Sequence, residues 1–173
     1  MYLNDEKINV IKSYKIQYTN FQKKGNGNYE FKIKFKDNFP DLERLFQNCS
    51  NLISIDLTDF APTNVTSVGW MFNNCSKLKE IKGINKINIE RVYKLTSKFQ
   101  NCNEIEYLDL SNFDTSNATD MGGMFMECYK LKEIKGINEF NTSNFNSLKG
   151  TFQNCREMEY LDLSNFDNQK SLI

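Results

Sequence analysis

The chain has no histidine and only two prolines in 173 residues. Without imidazole it lacks the commonest general base and metal ligand, which excludes most Ser-His-Asp triads and most zinc sites. Two Pro and eight Gly are too few for collagen, mucin-like stalks or long flexible linkers. An excess of charge of one sign is missing too. With 22 basic residues against 22 acidic ones, the chain is neither a globally basic nucleic-acid binder nor a polybasic membrane anchor. No run approaches the roughly 18 uninterrupted apolar residues of a membrane span. The opening residues MYLNDEKINVIKSYK contain no signal-peptide core, and Lys170-Ser171-Leu172-Ile173 carry no lipidation or sorting signal. A soluble chain is expected, cytoplasmic if complete as written, with no membrane insertion and no nucleic-acid partner.

What is present is 39% hydrophobic content with 14 Phe, 8 Tyr and 1 Trp, enough core material for one domain or a short repeat array. Self-comparison finds a period. Cys49, Cys75, Cys102, Cys128 and Cys155 lie 26, 27, 26 and 27 residues apart. Phe46, Phe72, Phe99, Phe125 and Phe152 precede them by three residues. Leu52, Leu78, Ile105, Leu131 and Met158 follow them by three, and Ile55, Ile81, Leu108, Ile134 and Leu161 by six. A two-copy alternation is superposed. Odd copies read IDLTDF or LDLSNF, and even copies read IKGINKI or IKGINEF with one extra residue beside Gly83 or Gly136. That insertion predicts a β-bulge, glycine tolerating the positive φ that the extra residue requires.

Each copy reads as a strand plus a helix. Ile55-Asp56-Leu57, Leu108-Asp109-Leu110 and Leu161-Asp162-Leu163 alternate apolar and polar residues as a strand does. Val65, Val68, Phe72 and Cys75, or Met121, Phe125 and Cys128, recur at three and four residues, the spacing of one helix face. Thr115-Ser116-Asn117 and Thr142-Ser143-Asn144 offer N-cap or turn residues, while Gly122-Gly123 predicts a short or irregular helix.

The segments MFNNCSKLKEI, MFMECYKLKEI and LDLSNFDTSN resemble the BspA-like, or Treponema pallidum-type, leucine-rich repeats over residues 42–167. The resemblance implies an α/β repeat solenoid: a right-handed leucine-rich-repeat coil with a parallel concave β-sheet, short convex helices and no catalytic residues. It also implies a cell-surface or secreted protein with a role in adhesion. The Lys-Gly-Ile copies and the missing export signal depart from the family pattern.

Residues 1–40 fall outside the period. Tyr29, Phe31, Ile33 and Phe35 alternate with Glu30, Lys32, Lys34 and Lys36, and Ile16, Tyr18 and Phe21 offer a partner strand across a Lys24–Asn28 turn. An N-terminal β-hairpin cap over residues 1–40 and an array of five copies over 41–173 are therefore expected. The fifth copy stops after its strand, so self-association through an uncapped C-terminal end is a further expectation.

Seven residues after each Cys come Asp56, Lys82, Asp109, Lys135 and Asp162, an acid-base alternation across strands about 4.8 Å apart. Five residues after each Cys come Ser54, Glu80, Tyr107, Glu133 and Tyr160. These columns carry two readings: an ion ladder that fixes register, or a concave surface holding a protein or glycan ligand. The expected binding residues are Asp56, Glu80, Lys82, Tyr107, Asp109, Glu133, Lys135, Tyr160 and Asp162. The five Cys are odd in number and lack a Cys-x-x-Cys pair, so they read as buried fillers, with no metal and no cofactor expected. Asp56 and Asp109 stand near the separation of glycosidase carboxylates, but Lys82 lies between them and no residue is assigned a catalytic role. The functional expectation is non-catalytic recognition. Its alternative is an intracellular scaffold, or a repeat segment of a larger protein whose activity lies in other domains.

Overall fold

The structure, a computed structural model, describes residues 41–166 in full and four N-terminal strands as backbone. Strands β1 (Tyr2–Leu3) and β2 (Glu6–Lys7) pair antiparallel. Strands β3 (Ile16–Lys23) and β4 (Tyr29–Phe35) also pair antiparallel, from Ile16 opposite Phe35 to Lys23 opposite Tyr29, with a register shift between Tyr18 and Asn20. The expected Lys24–Asn28 turn and the chain end after Phe166 lie outside the described residues.

The expected leucine-rich-repeat solenoid is corrected. Among the described residues there is no α-helix and no continuous five-stranded sheet; turns and irregular backbone dominate. Two separate two-stranded parallel sheets remain. In one, β5 (Ser54–Asp56) pairs with β6 (Glu80–Lys82); in the other, β7 (Tyr107–Asp109) pairs with β8 (Glu133–Lys135). The segment around Leu161-Asp162-Leu163, expected as a fifth strand, is irregular.

Tight turns replace the helices, for a reason visible in the backbone. In each copy two residues four apart, Arg44 and Asn48, Trp70 and Asn74, Ser97 and Asn101, Gly123 and Glu127, or Gly150 and Asn154, hold φ between 51° and 67°. Left-handed residues at every fourth position cannot propagate a right-handed helix. The N–H groups are shared out instead. Leu45 N–H donates to Leu42 O within its own copy (3.2 Å), while Arg44, Phe46 and Asn48 donate to Gly69, Met71 and Asn73 of the next copy (3.0, 2.9 and 2.8 Å). The same alternation recurs at Trp70, Phe72 and Asn74, at Ser97, Phe99 and Asn101, and at Gly123, Phe125 and Glu127. The apolar spacing of three and four therefore belongs to successive turns, whose buried positions recur at nearly the helical interval. Isolated parallel bridges link Asp41, Ser67, Lys94, Asp120 and Ser147 in one column.

The core runs between copies. Rings of Phe46, Phe72, Phe99, Phe125 and Phe152 stack with centroids 5.2, 5.9, 5.8 and 5.6 Å apart. Phe113 and Phe140 form a second, shorter stack at 6.4 Å. Offset pairs of this kind contribute about 0.5–1.5 kcal/mol each beyond their burial. Cys49, Cys75, Cys102 and Cys128 are buried and Cys155 is half-buried; no disulfide joins any of them. Each thiol from Cys75 onward donates to the Phe carbonyl of the preceding copy: Cys75 to Phe46 (3.1 Å), Cys102 to Phe72 (3.2 Å), Cys128 to Phe99 (3.0 Å) and Cys155 to Phe125 (3.1 Å). The thiols thus fill space and also donate to carbonyls that already accept the Cys N–H of their own copy, using the second lone pair.

The expected bulges are corrected as well. The pairing of β5 with β6 and of β7 with β8 runs without a shift. The extra residue of the even copies is taken up by short 3₁₀ turns, Ile84–Lys86 and Ile137–Glu139, entered through Gly83 (φ 71°) and Gly136 (φ 81°). A Cβ at Gly136 would lie 2.4 Å from Ser111 Cα, and one at Gly83 2.7 Å from Thr58 Cα. Glycine is required there twice over, by its dihedral angle and by the backbone that passes against it.

Candidate functional site: a charged, tyrosine-bearing face

Strand alternation decides which residues reach solvent. Ile55, Ile81, Leu108 and Ile134 turn towards the core, so Ser54 and Asp56, Glu80 and Lys82, Tyr107 and Asp109, and Glu133 and Lys135 face outward. The register sets Asp56 beside Lys82, Tyr107 beside Glu133, and Asp109 beside Lys135. Seven of the nine expected binding residues are thus brought into two strand pairs. Tyr160 and Asp162 occupy the equivalent places in the irregular fifth copy. The row is interrupted between β6 and β7. Odd copies extend their ladder one residue further, Leu57 N–H donating to Lys82 O (2.8 Å) and Leu110 N–H to Lys135 O (2.9 Å). Even copies have Gly83 and Gly136 at that place, and the left-handed turn takes the chain off the ladder.

Tyr107 and Tyr160 are 59% and 66% exposed, among the most open large apolar side chains of the described residues. The charges around them are held in place. Lys135 Nζ lies 3.6 Å from Asp109 Oδ2, and Lys82 Nζ lies 3.8 Å from Glu80 Oε1 on its own strand. Asp109 accepts from the Ser111 hydroxyl and N–H, Asp56 from Thr58 N–H (2.9 Å), and Asp162 from Ser164 N–H (3.0 Å). These bonds, from the Thr58 and Ser111 side chains first and from the Ser164 N–H first at Asp162, hold all three carboxyls below the usual aspartate range.

Two further charged columns escaped the sequence reading. Two residues after each Cys stand Asn51, Lys77, Glu104, Lys130 and Glu157; four residues after stand Ile53, Lys79, Glu106, Lys132 and Glu159. Lys130 Nζ meets Glu104 at 2.9 Å, Lys132 Nζ meets Glu106 at 2.8 Å, and Lys77 Nζ donates to Asn51 Oδ1 at 2.7 Å. The Lys132 hydrogen bond draws the Glu106 carboxyl down, and the partner carboxylates raise the Lys130 and Lys132 ammonium groups. The signal was legible: EIEYLD (104–109) and EMEYLD (157–162) alternate with two KLKEIK segments (77–82 and 130–135). From the second copy onward whole copies, and not single positions, alternate in charge; the first carries only Asp56 at these places.

Lys98 was also missed. It stands four residues before Cys102, where the other copies have Leu45, Met71, Met124 and Thr151. Its side chain is fully buried and its Nζ has no hydrogen-bond partner. The amine lies over the rings of Phe113 (4.7 Å) and Phe99 (5.5 Å), and burial pulls its pKa down to about 7. None of the expected site residues lines the surface depression of about 310 Å³ bordered by Asn85, Asn88, Asn112 and Asp114. Among the described residues no group of three or more His, Cys, Asp or Glu converges as a metal site would require. The arrangement is a solvated, charge-patterned face with two projecting phenols.

A family model described as "Mycoplasma protein of unknown function, DUF285" matches residues 40–166. No curated protein and no solved structure matches the chain.

Proposed function

The chain belongs to the DUF285 family, described as Mycoplasma protein of unknown function, and from the geometry of its outward face we propose that it is a non-catalytic recognition module that binds a protein partner through the Tyr107 and Tyr160 face. The observation that carries the reading is the pair of phenols, 59% and 66% exposed, in equivalent places of two copies. Tyrosine supplies a large amphipathic contact at low entropic cost, and the fixed charges of Asp56, Lys82, Asp109, Lys135 and Asp162 supply orientation. The absence of histidine and the self-paired carboxylates favour recognition over catalysis. The resemblance to the BspA-like group favours a role in adhesion at a cell surface.

Beads coated with the chain should adhere to host-cell surfaces. The double variant Tyr107→Ser, Tyr160→Ser should lose that adhesion with an unchanged circular dichroism spectrum. Protease treatment of the cells should abolish it, whereas deglycosylation alone should abolish it only for a glycan ligand. Equal adhesion by the double variant refutes the assignment of the face.

A further inference from the structure

Between the second and third copies the array is open on the side where the other junctions are closed. Strands join the first copy to the second, β5 on β6, and the third to the fourth, β7 on β8, but β6 and β7 do not pair. The fourth and fifth copies, also without a strand pair, are bridged by a side chain: Asn165 Nδ2 donates to Asn138 O. Asn112 and Asn85 hold the same two places at the open junction, ten residues after Cys102 and Cys75. No bond joins them among the described residues, and neither side chain has a hydrogen-bond partner there. The depression of about 310 Å³ lies between them. Its walls are fixed by bonds of their own. Asn88 Oδ1 accepts the Glu90 N–H (2.9 Å), and the Glu90 carbonyl accepts from Asn117 Nδ2 (2.8 Å). Asp114 Oδ1 accepts the Ser116 N–H (3.0 Å). The Ser116 side chain first, and its N–H second, hold the Asp114 carboxyl below the usual aspartate range, so it is an acceptor at neutral pH. The bonds leave over the amides of Asn85 and Asn112, the Asn88 Nδ2 and the carboxylates of Glu90 and Asp114 around one opening. Ile87 and Ile89 also border it, but each is 1% exposed and presents no apolar surface.

We propose that this depression is a binding site for a hydroxyl-rich ligand, a terminal pyranose of a glycan, held between the second and third copies. Each amide both donates and accepts, and each carboxylate accepts two hydroxyls at once, which is what the vicinal hydroxyls of a sugar ring require. Two carboxylates against the single ammonium of Lys86 disfavour an anion, and the buried isoleucines disfavour an apolar ligand. The volume stands at the small end of the about 300–1,000 Å³ range of ligand sites, which limits the occupant to one ring. The sugar links the two copies as Asn165 links the fourth and fifth. The site shares no residue with the Tyr107 and Tyr160 face and is independent of protein recognition there.

The test is a proton–nitrogen correlation spectrum of the whole chain, titrated with the methyl pyranosides of glucose, galactose, mannose and N-acetylglucosamine. At least one should shift the side-chain amides of Asn85, Asn88 and Asn112 saturably, with a Kd of about 1–10 mM for an open site of this size. Asn112→Ala removes an exposed side chain that holds nothing in the fold, and should weaken that binding at least ~tenfold with the rest of the spectrum unchanged. Tyr107→Ser should leave it as it was, which separates this site from the recognition face. No saturable shift with any of the sugars, saturable shifts that spare these amides, or full binding by Asn112→Ala would each overturn the proposal. So would the same shifts produced by calcium chloride, which would make the ligand an ion, or binding of a free sugar but not of its methyl glycoside.

Discussion

Replacing Lys98 with methionine should stabilise the chain, and by an amount that depends on pH. The position holds methionine in two other copies, Met71 and Met124, so Lys98→Met changes little in volume. What it removes is an amine held at about 7 against an ordinary 10.5, with no hydrogen-bond partner. A drop of that size corresponds to about 5 kcal/mol at ~1.36 kcal/mol per unit. The folded pKa is depressed, so between pH 7 and 10.5 the unfolded chain binds the proton that the native chain does not, and wild-type stability rises with pH in that window. Below about pH 7 both states are protonated and the full penalty applies. The advantage of Lys98→Met should therefore be constant below pH 7 and shrink by about 1.4 kcal/mol per unit above it, or about 3 kcal/mol by pH 9. Only the difference between variant and wild type is diagnostic, because buried thiols raised in the fold oppose the trend above pH 8.5 in both proteins. Urea unfolding of the two chains at pH 6, 7, 8 and 9 measures it. A pH-independent difference, or a variant less stable at pH 6, would refute the reasoning.

Three other perturbations read different parts of the structure. Gly136→Ala should cost several kcal/mol, about 2–4, and more than Gly83→Ala, since its Cβ would meet Ser111 Cα at 2.4 Å rather than Thr58 Cα at 2.7 Å; thermal melts compare them. Phe99→Ala should cost about 3–5 kcal/mol, because it opens the ring column at its centre and leaves Phe72 and Phe125 without a shared neighbour. Thiol labelling without denaturant should proceed first at half-buried Cys155, whose pKa is pushed up to about 11, and reach Cys102 and Cys128 only on unfolding; five equally fast thiols would contradict the packing.

The repeat period, the inward Phe and Cys columns and the outward Asp and Lys columns could be read directly from spacing, because identical side chains at equal intervals must meet when copies lie together. The helix was not correctly legible. Apolar residues three and four apart serve a row of tight turns as well as a helix, and periodicity cannot separate them. The distinguishing signal lay in the polar residues: Asn48, Asn74, Asn101 and Asn154 before the cysteines, and Gly123 and Gly150 four residues earlier, favour left-handed backbone. A bulge and a 3₁₀ turn each absorb one residue beside a glycine, so spacing alone does not separate them at Gly83 and Gly136. Of the candidate face, two columns carry the nine expected residues, while Glu104, Glu106, Lys130 and Lys132 stand out only when the total charge of each copy is compared with that of its neighbours. Lys98 was hidden by its type: nothing in composition marks a lysine whose counterparts are leucine, methionine and threonine.

The alternation of acidic and basic copies also bears on how such a chain can change length. Deleting the third or the fourth copy would bring two units of the same sign into register at three places, whereas gaining or losing an adjacent acidic-basic couple keeps every junction alternating. Heritable variation in size should accordingly proceed by twos, with the couple as the unit of duplication.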